Sequence, residues 1–398
     1  MKRIRVVHII TRFDKGGSAE NTFLTVIGLD QRRYETFLIT GIAEEFGMGE
    51  VEAAASAKNL ARIKKAGIAA YVIPELTRNI QPLLDLQALI KMIRLLQKIK
   101  PHIVHTHTSK AGILGRMAAC LNKVPVIIHT PHGHVFWGYF GPLTTRFFIS
   151  LEKCAAHSSD RLVMLTEQEK EDHLHCRIGT EEKFTVIHSG VNLEPFLMAD
   201  KDRGKMRREL GIPTDAFVVG TVGRLTAVKG QRYLLEAAAN LAGDIPGLVC
   251  ILLGDGELRE ELKARATALG MGQQVLFLGW RDDVAAIMSV FDVFVLPSLN
   301  EGMGRVLVEA MAAGKPVIAS DVGGIKNLIC HQENGFLVPP ADPEAMAAGI
   351  NGLYRDPEGR ERMGEAGRQR ATAFSDTAMI KKIDALYAEL IRKKNVQT

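Results

Sequence analysis

Two glutamates stand close together in a stretch that alternates between strand, loop and helix patterns. Glu301 lies in a loop after the apolar run 293–296, and Glu309 lies within 305–313. The apolar run is short and ends at a proline, which is typical of a buried strand in a parallel sheet. Strong helix formers fill 305–313 and Gly314 follows them, so a helix is predicted there. Carboxylates placed in this way can accept hydrogen bonds from the hydroxyl groups of a ligand.

The loop before this helix is a place where an anion can bind. A helix N-terminus offers free N–H groups and the positive end of the helix dipole. In open α/β sheets, ligands bind beyond the carboxyl ends of the strands. A carboxylate would repel a phosphate, so the glutamates are predicted to hold sugar hydroxyls while N–H groups and cations hold phosphates. These are the parts of a nucleotide-sugar site, although two solvated glutamates are the simpler interpretation of the spacing alone.

Glycine-rich loops also follow the first predicted strand in each half of the chain. Strand 4–10 leads into Gly16 and Gly17, and the next helix is predicted to begin with Ser18 as its N-cap. Strand 217–222 leads into the basic loop 223–230, and strand 248–253 leads into a helix with its N-terminus at Glu257. Asp342 with Pro343 is predicted to cap a later helix. Strands alternate with helices throughout both halves, which predicts an α/β protein built from two doubly wound domains.

The length of the chain sets the domain count. A chain of 398 residues is too long for one ordinary core, so two domains are expected. The sequence becomes polar and charged over 194–213, and the boundary is predicted there. The first domain is therefore assigned to 1–195 and the second to 196–375.

Composition excludes several classes of protein. No apolar run is long enough to span a bilayer, and the N-terminus is interpreted as a first strand and not as a signal peptide. Five scattered cysteines without a C-x-x-C pair indicate neither a disulfide framework nor a zinc site. The cytoplasm is the expected compartment. A net charge of +5 permits contact with anionic ligands or an anionic membrane face without indicating nucleic acid.

Five histidines lie within the stretch 105–134, at positions 105, 107, 129, 132 and 134. No carboxylate or cysteine completes a ligand set at a suitable spacing, so no metal site is predicted. Hydrogen bonds to a ligand or to the backbone are the preferred interpretation. The aromatic run 135–140 follows these histidines, and it is either core or an exposed acceptor surface.

The predicted helix 83–99 has a basic polar face that carries Lys91, Arg94 and Lys98, and Asp85 is its only acid. A solvated helix face is the simpler interpretation. The functional alternative is a patch that meets the anionic head groups of a membrane.

The basic loop, the Gly-x-Gly turn 254–256 and the glutamate pair resemble, in this order, glycosyltransferase family 4, and the similarity extends over nearly the whole chain. The resemblance implies the GT-B fold, in which two Rossmann-like domains face each other across a cleft and the last helix, 376–398, packs back on the first domain. It also implies transfer of a sugar from a nucleotide-diphosphate donor, with retention at the anomeric carbon and without a metal or cofactor. UDP is the expected nucleotide and GDP the next.

The resemblance also assigns roles to single residues. Arg224 and Lys229 correspond to the diphosphate clamp, which must stabilise the charge that grows on the leaving phosphate. Glu301 and His132 are expected to contact the donor sugar, and these four residues form the catalytic set. Glu309 is expected to hold the ribose hydroxyls. The other donor-binding residues are Gly16, Gly17, Gly223, Arg281, Gly302, Met303, Gly304, Arg305 and Val306.

The segments HTHTSKAGILGR and TPHGHVF are similar to capsule and exopolysaccharide members of the family. They imply a glycan or polyprenyl-linked acceptor, and the basic helix fits a peripheral contact with the inner membrane face. One position departs from the family pattern, because Asn327 stands where a glutamate is common. No motif places a nucleophile on the far side of the sugar, as retaining glycosidases do. Same-face attack, with the departing phosphate helping to deprotonate the acceptor, is therefore expected.

Two other functions stay open. A sugar-nucleotide 2-epimerase of the same fold would also bind a nucleotide sugar, and it would release no free nucleoside diphosphate in response to an acceptor. A non-catalytic partner subunit would keep the fold without activity. The presence of Arg224, Lys229, Glu301 and Glu309 favours the transferase over both.

Overall fold

The chain divides into two compact units, one formed by Met1–Gly190 with Asp376–Thr398 and the other by Val191–Ser375. The structure, a computed structural model, describes residues 3–13, 16–42, 50–133 and 141–397. His134 and the predicted aromatic run 135–140 lie outside these described residues.

Each unit contains one fully parallel sheet. Within the described residues, the first sheet has seven strands: β1 (Ile4–Ile10), β2 (Tyr34–Thr40), β3 (Ala69–Val72), β4 (Ile103–His107), β5 (Val126–Thr130), β6 (Arg161–Met164) and β7 (Phe184–Val186). The second sheet there has six: β8 (Phe217–Val222), β9 (Leu248–Leu253), β10 (Val275–Gly279), β11 (Val293–Leu296), β12 (Val317–Ser320) and β13 (Gly335–Val338).

The strand order is β3-β2-β1-β4-β5-β6-β7 in the first sheet and β10-β9-β8-β11-β12-β13 in the second. Both orders are those of a Rossmann-like sheet. In each sheet the second and third strands lie on one side of the first strand, and the fourth strand lies on its other side. This change of side opens a crevice at the carboxyl ends of β1 and β4, and another at those of β8 and β11. The loops singled out in the sequence follow β1, β8 and β11.

Helices cover the sheets and connect the strands. They are α1 (Gly17–Gly28), α2 (Glu50–Lys65), α3 (Pro82–Ile99), α4 (Ser109–Leu121), α5 (Pro142–His157), α6 (Glu167–His175), α7 (Glu194–Leu197), α8 (Arg203–Glu209), α9 (Gln231–Leu241), α10 (Arg259–Ala268), α11 (Val284–Ser289), α12 (Arg305–Ala312), α13 (Pro343–Arg355), α14 (Pro357–Ala371) and α15 (Asp376–Lys393). Among the helices of the described residues, none combines the length and apolar character needed to cross a bilayer.

Two predicted helix starts are wrong. The N-cap of α1 is Gly16 and not Ser18, and the Ser18 carbonyl lies inside the helix, where it accepts a hydrogen bond from Thr22. The helix predicted to begin near Glu257 begins at Arg259, because the Leu258 N–H donates to the Leu225 carbonyl across the preceding turn. The loop before α1 is therefore shorter than predicted, and the loop before α10 is longer.

The C-terminal helix α15 is part of the core of the first unit. Met379, Ile383, Leu386, Tyr387 and Leu390 are buried in the same cluster as residues of β1, β4 and β5. Burial of a large side chain such as Leu stabilises a fold by roughly 1.5–3 kcal/mol. The end of the chain therefore completes the first unit.

Candidate active site

Three loops at the carboxyl ends of β8, β11 and β12 are joined by backbone hydrogen bonds. The Leu299 N–H donates to the Val228 carbonyl at 2.8 Å, and the Gly324 N–H donates to the Gly302 carbonyl at 2.8 Å. These loops contain the basic residues Arg224 and Lys229, Glu301, and the adjacent glycines Gly323 and Gly324. They form one platform, so the side chains that they carry are fixed relative to one another.

Two glycines allow the loops to approach this closely. Gly230 and Gly323 have φ angles of 65° and 51°, in the left-handed region that glycine adopts without strain. A Cβ at Gly230 would lie 2.1 Å from the carbonyl oxygen of Pro297, and one at Gly323 would lie 1.9 Å from that of Glu301. A side chain at either position would push two loops of the platform apart.

Lys229 and Glu301 meet on this platform. Lys229 Nζ lies 2.5 Å from Glu301 Oε1, and the buried Ser298 hydroxyl donates to the same oxygen at 2.9 Å. The Glu301 side chain is 10% exposed and that of Lys229 28% exposed. The carboxylate is therefore held by two donors, while the ammonium group remains open to a ligand that carries more negative charge.

Arg224 lies in the same loop as Lys229, and its side chain is exposed. Its carbonyl oxygen accepts a 2.8 Å hydrogen bond from the side-chain amide of Gln231, which is buried. Among the described residues, the Arg224 guanidinium has no ion-pair or hydrogen-bond partner. Its backbone is thus fixed and its charge is available to an anion.

The helix α12 begins at the end of this platform. Gly304 is its N-cap in the left-handed conformation, with φ 71°. Gly302 is exposed, and Arg305, Val306 and Glu309 are partly exposed. Met303 instead packs in the core, so only its backbone can contact a ligand there.

Arg281 and Asn327 of the second unit both take part in hydrogen bonds within that unit. Both carboxylate oxygens of Asp283 accept hydrogen bonds from the Arg281 guanidinium, at 2.8 and 2.6 Å, and Glu209 accepts a third at 2.9 Å. These bonds raise the pKa of Arg281 further above its usual range. The Arg281 side chain therefore ties its loop to α8. Asn327 ends a 3-10 turn, and its carbonyl accepts a hydrogen bond from Arg370.

Gly16, Gly17 and His132 belong to the first unit. Both glycines are exposed at the start of α1, directly beyond the carboxyl end of β1. Asn21, one turn later, is buried and donates to the Ser189 hydroxyl at 2.7 Å, which fixes the start of the helix. His132 follows β5 and has a φ angle of 61°, which is unusual for a residue with a side chain.

His132 is one end of a series of hydrogen-bond partners that we call the histidine chain. Its links join His132 Nε2 to His107 Nδ1 (3.0 Å), His107 Nε2 to His8 Nδ1 (2.9 Å), His8 Nε2 to the Tyr387 hydroxyl (3.5 Å), this hydroxyl to His105 Nδ1 (2.7 Å), and His105 Nε2 to the Thr130 hydroxyl (2.8 Å). Apart from His132, every member is buried.

Burial determines the charge state of the histidine chain. It lowers the pKa of His8 to about 3 and lowers the pKa values of His105 and His107 well below the usual range. It also raises the pKa of Tyr387 well above its usual range. The charged forms lose their hydration in this environment, so all four groups are neutral at physiological pH.

Ligand nitrogens of His8, His105 and His107 lie within 4.8 Å of one another, which is compatible with a metal ion. However, each of their six ring nitrogens already has a hydrogen-bond partner in the histidine chain. The arrangement therefore fits a neutral hydrogen-bonded network, and the absence of a metal from the reaction stays a prediction.

Sequence reasoning missed Ser298, Gln231, His8 and Tyr387. Ser298 and Gln231 are polar residues beside predicted site loops, and that position was the available signal. His8 lies within an apolar strand pattern, and its partner Tyr387 lies 379 positions away in the chain. No local pattern connects residues at such a separation.

A buried ion pair lies near the same strands. Arg116 on α4 donates two 2.8 Å hydrogen bonds to the two carboxylate oxygens of Glu152 on α5. His129 Nε2 lies 3.9 Å from Glu152, and its pKa is lowered well below the usual range, first by burial and then by the Arg116 charge. This pair joins two helices and takes no part in the histidine chain.

Comparisons with known proteins agree with this architecture. The family profile for glycosyl transferases group 1 matches residues 202–370, and the profile for Glycosyltransferase Family 4 matches residues 7–195. The UDP-Gal:alpha-D-GlcNAc-diphosphoundecaprenol alpha-1,3-galactosyltransferase of Escherichia coli is 36% identical over 333 residues, which cover 82% of this chain and 85% of that protein. The capsular polysaccharide biosynthesis glycosyltransferase CapM of Staphylococcus aureus is 28% identical over 333 residues, covering 81% and 86%.

A solved structure shows the same fold. The crystal structure of HepE from Anabaena in complex with UDP has a TM-score of 0.81 at 23% sequence identity, and the match covers 97% of this chain and 100% of that one. The predicted fold class and family are confirmed. Two Rossmann-like units in the GT-B fold, profile matches over both halves and a relative at 36% identity show that this chain belongs to glycosyltransferase family 4.

Proposed function

We propose that the chain transfers a sugar from a nucleotide-diphosphate donor to a glycan or polyprenyl-linked acceptor in the synthesis of a cell-surface polysaccharide. The transfer retains the configuration at the anomeric carbon and uses neither a metal nor a cofactor. The Lys229–Glu301 pair on the loop platform beside α12 carries this proposal. It combines a cation for a phosphate with a carboxylate for sugar hydroxyls at one place.

The names and ligands of similar proteins support the substrate classes. The Escherichia coli relative is named for a UDP-galactose donor and a lipid-linked diphosphoundecaprenol acceptor. HepE was solved with UDP and with UDP-glucose. We therefore propose UDP as the nucleotide before GDP.

Donor binding rearranges the charges on the platform. A diphosphate carries more negative charge than the Glu301 carboxylate, so it attracts the Lys229 ammonium group away from Glu301 Oε1. Ser298 still donates to that carboxylate, which keeps its position and gains room for a sugar hydroxyl. His132 also contacts the donor sugar, and Glu309 holds the ribose hydroxyls.

The chemical step breaks the bond between the anomeric carbon and the β-phosphate oxygen. Negative charge grows on that phosphate, and Arg224 and Lys229 stabilise it. The acceptor hydroxyl attacks from the face that the phosphate leaves, and its proton passes to a departing phosphate oxygen. The new glycosidic bond therefore has the configuration of the old one.

Thermal unfolding with UDP, GDP, ADP and CMP over a concentration series tests the donor site. A ligand that binds only the folded state raises the unfolding midpoint according to its occupancy. We expect a selective rise with one diphosphate that is lost in Lys229→Ala. Lys263→Ala is the matched control, because Lys263 is an exposed lysine of the same unit that pairs with Glu260. Equal shifts in both variants would contradict the assignment of Lys229.

Product analysis separates the transferase from an epimerase. We expect free nucleoside diphosphate to appear only when an acceptor is present. Release of none, together with conversion of the donor sugar to its epimer, would favour the isomerase instead.

We include in this proposal a peripheral contact of the first unit with a membrane. Large apolar side chains are exposed on three helices of this unit: Leu83 and Leu86 on α3, Leu121 on α4, and Leu143 and Phe147 on α5. The helix α4 packs against both α3 and α5. Exposed apolar groups of this size can enter the interface between lipid head groups and acyl chains.

The basic charge around these side chains is smaller than the sequence suggests. Arg94 and Lys98 are exposed on α3, but Lys91 pairs with Glu75 and Lys110 pairs with Asp85. Co-sedimentation with anionic vesicles tests the contact. We expect Leu143→Glu to reduce binding and Met198→Glu, at an exposed site of the second unit, to leave it unchanged.

A further inference from the structure

The histidine chain connects a residue of the proposed site with the C-terminal helix. His132, at one end, is partly exposed, whereas Tyr387 lies on α15 and is fully buried. Between them, His107 and His8 are stacked, with ring planes 13° apart and centroids 5.3 Å apart. The rings cannot turn independently in such a packed layer, so the fold determines which ring nitrogens face one another.

Neutral histidines in a series must all point their hydrogen bonds the same way. A neutral imidazole carries a hydrogen on one nitrogen and a lone pair on the other, so it donates at one side and accepts at the other. A tyrosine hydroxyl also donates once and accepts. Because burial keeps the inner members uncharged, the histidine chain has only two complete hydrogen-bond arrangements.

The two arrangements give His132 opposite chemical characters. In one, His132 Nε2 donates into the histidine chain, and Nδ1 is then the lone-pair nitrogen. In the other, Nε2 accepts from His107, and Nδ1 then carries the hydrogen. In a neutral His132, Nδ1, the ring nitrogen outside the histidine chain, is therefore a hydrogen-bond acceptor in the first arrangement and a donor in the second.

We propose that His107, His8 and Tyr387 are positioning residues that select the tautomer of His132 through this hydrogen-bonded chain. The inference deepens the proposed function, since the selected tautomer decides whether His132 accepts from or donates to a hydroxyl of the donor sugar. It places part of the control over the site at Tyr387, on α15.

The longest link of the histidine chain is the one between His8 and Tyr387. The His8–Tyr387 separation is 3.5 Å, whereas the other four links are between 2.7 and 3.0 Å. A long hydrogen bond is weak. The Tyr387 hydroxyl is the shared partner of His8 and His105, so its removal separates the part that contains His132 from His105 and Thr130 with little change in side-chain volume.

The test reads the ring nitrogens of His132 directly. Long-range proton–nitrogen spectra of the full chain, labelled with ¹⁵N-histidine, distinguish the two neutral tautomers, and His132→Gln assigns the signals. We expect one tautomer to dominate in the wild type, and Tyr387→Phe to change the tautomer ratio of His132 by at least about threefold.

Tyr34→Phe is the matched control. The Tyr34 ring lies 6.0 Å from that of Tyr387, and its hydroxyl also bonds to α15, through Asp384, but it has no link to the histidine chain. We expect this variant to leave the His132 spectrum unchanged. A general disturbance of the core would alter His132 equally in both variants, and that result would overturn the proposal.

A second variant, His8→Leu, removes the 2.9 Å link to His107 and the 3.5 Å link to Tyr387, and it tests the same idea if Tyr387→Phe does not fold. We expect it to change the tautomer ratio of His132 as well. An unchanged ratio in every folded variant overturns the inference. Because the spectra need no substrate, a failure to detect sugar transfer would contradict the proposed function and leave this test intact.

The kinetic consequence separates positioning from simple stability. We expect Tyr387→Phe to lower kcat more than it raises KM, because the donor phosphates still bind to the second unit while His132 loses its selected tautomer. A change confined to KM, with the His132 spectrum unaltered, would show that Tyr387 supports only the packing of α15.

Discussion

The sheets of the two units share one strand order, but they differ in the polar side chains that they bury. Strands of the first sheet bury His8, Thr36, Thr40, His105, Thr106, His107, His129 and Thr130. In the second sheet, the buried polar residues of the described strands are Thr221 and Ser320. The first unit thus places neutral polar groups inside its core, and the histidines among them are hydrogen-bonded, whereas the second unit keeps its strands apolar and presents Lys229 and Glu301 from loops.

This difference follows from the cost of burial. A buried charge is expensive unless it is paired, whereas a neutral imidazole needs only two hydrogen-bond partners. The second unit can therefore present Lys229 and Glu301 to a ligand because both lie in loops with access to solvent. The first unit gains a fixed arrangement of nitrogens, and it becomes sensitive to any change that charges them.

The buried ion pair Arg116–Glu152 of the first unit should give the largest effect. Glu152→Ala leaves the fully buried Arg116 without its bidentate partner, and such a loss typically costs about 3–5 kcal/mol. We expect the free energy of unfolding of the first unit to fall by that amount, measured by urea unfolding followed by circular dichroism. A loss below about 1 kcal/mol would mean that solvent reaches Arg116.

Acid should destabilise the first unit more than the second. His8 has a folded pKa of about 3, below its unfolded value of 6.5, so the unfolded state binds more protons between these values. The contribution of neutral His8 to the free energy of unfolding is therefore complete above pH 6.5, and it decreases as the pH is lowered from 6.5 toward 3. His8 alone accounts for a loss of ~1 kcal/mol per pH unit, and His105, His107 and His129 act in the same direction.

Thermal unfolding at pH 7.5 and pH 5.5 measures this effect. The second unit contains a single histidine, His331, so its transition provides an internal control. We expect the transition of the first unit to move to lower temperature at pH 5.5 by more than that of the second. Equal shifts would contradict the neutral state of the histidine chain.

Substitutions on the loop platform should reduce activity without a comparable loss of stability. Lys229→Ala and Glu309→Ala are each expected to lower kcat/KM at least about tenfold, or about 1.4 kcal/mol of transition-state stabilisation. Lys263→Ala, on α10, should leave the rate unchanged. Near-normal turnover in both site variants would show that the platform is not the donor site.

The smallest effect is expected for the exposed ion pair of the second unit. Glu209→Ala removes one of the three hydrogen bonds of Arg281, and Asp283 still accepts the other two. The Glu209 side chain is 47% exposed, so the loss of unfolding free energy should stay below about 1 kcal/mol. A loss as large as that of Glu152→Ala would show that the exposed ion pair of the second unit stabilises the fold as much as the buried pair of the first.

Local patterns were sufficient for much of the fold. The strands 217–222, 248–253 and 293–296 are confirmed at both ends, because each is a short apolar run with turn residues beside it. The cap at Asp342 is also confirmed, since its side chain accepts from the Ala345 N–H and Pro343 occupies the first turn. The start of α1 was predicted wrongly because Gly16, without a side-chain cap, ends the loop before Ser18.

The sequence by itself determined the alternation of strands and helices, the family, and the loops in which charged residues stand, because these depend on neighbouring residues and on motif spacing. Tertiary structure decided which side chains meet. Lys229 reaches Glu301 across 72 positions, and His8 reaches Tyr387 across 379. Parallel strands are joined by long crossovers, so groups that share a crevice come from distant parts of the chain. Only the folded sheet brings them within hydrogen-bonding distance and removes the water that would stabilise the charged forms of the histidines.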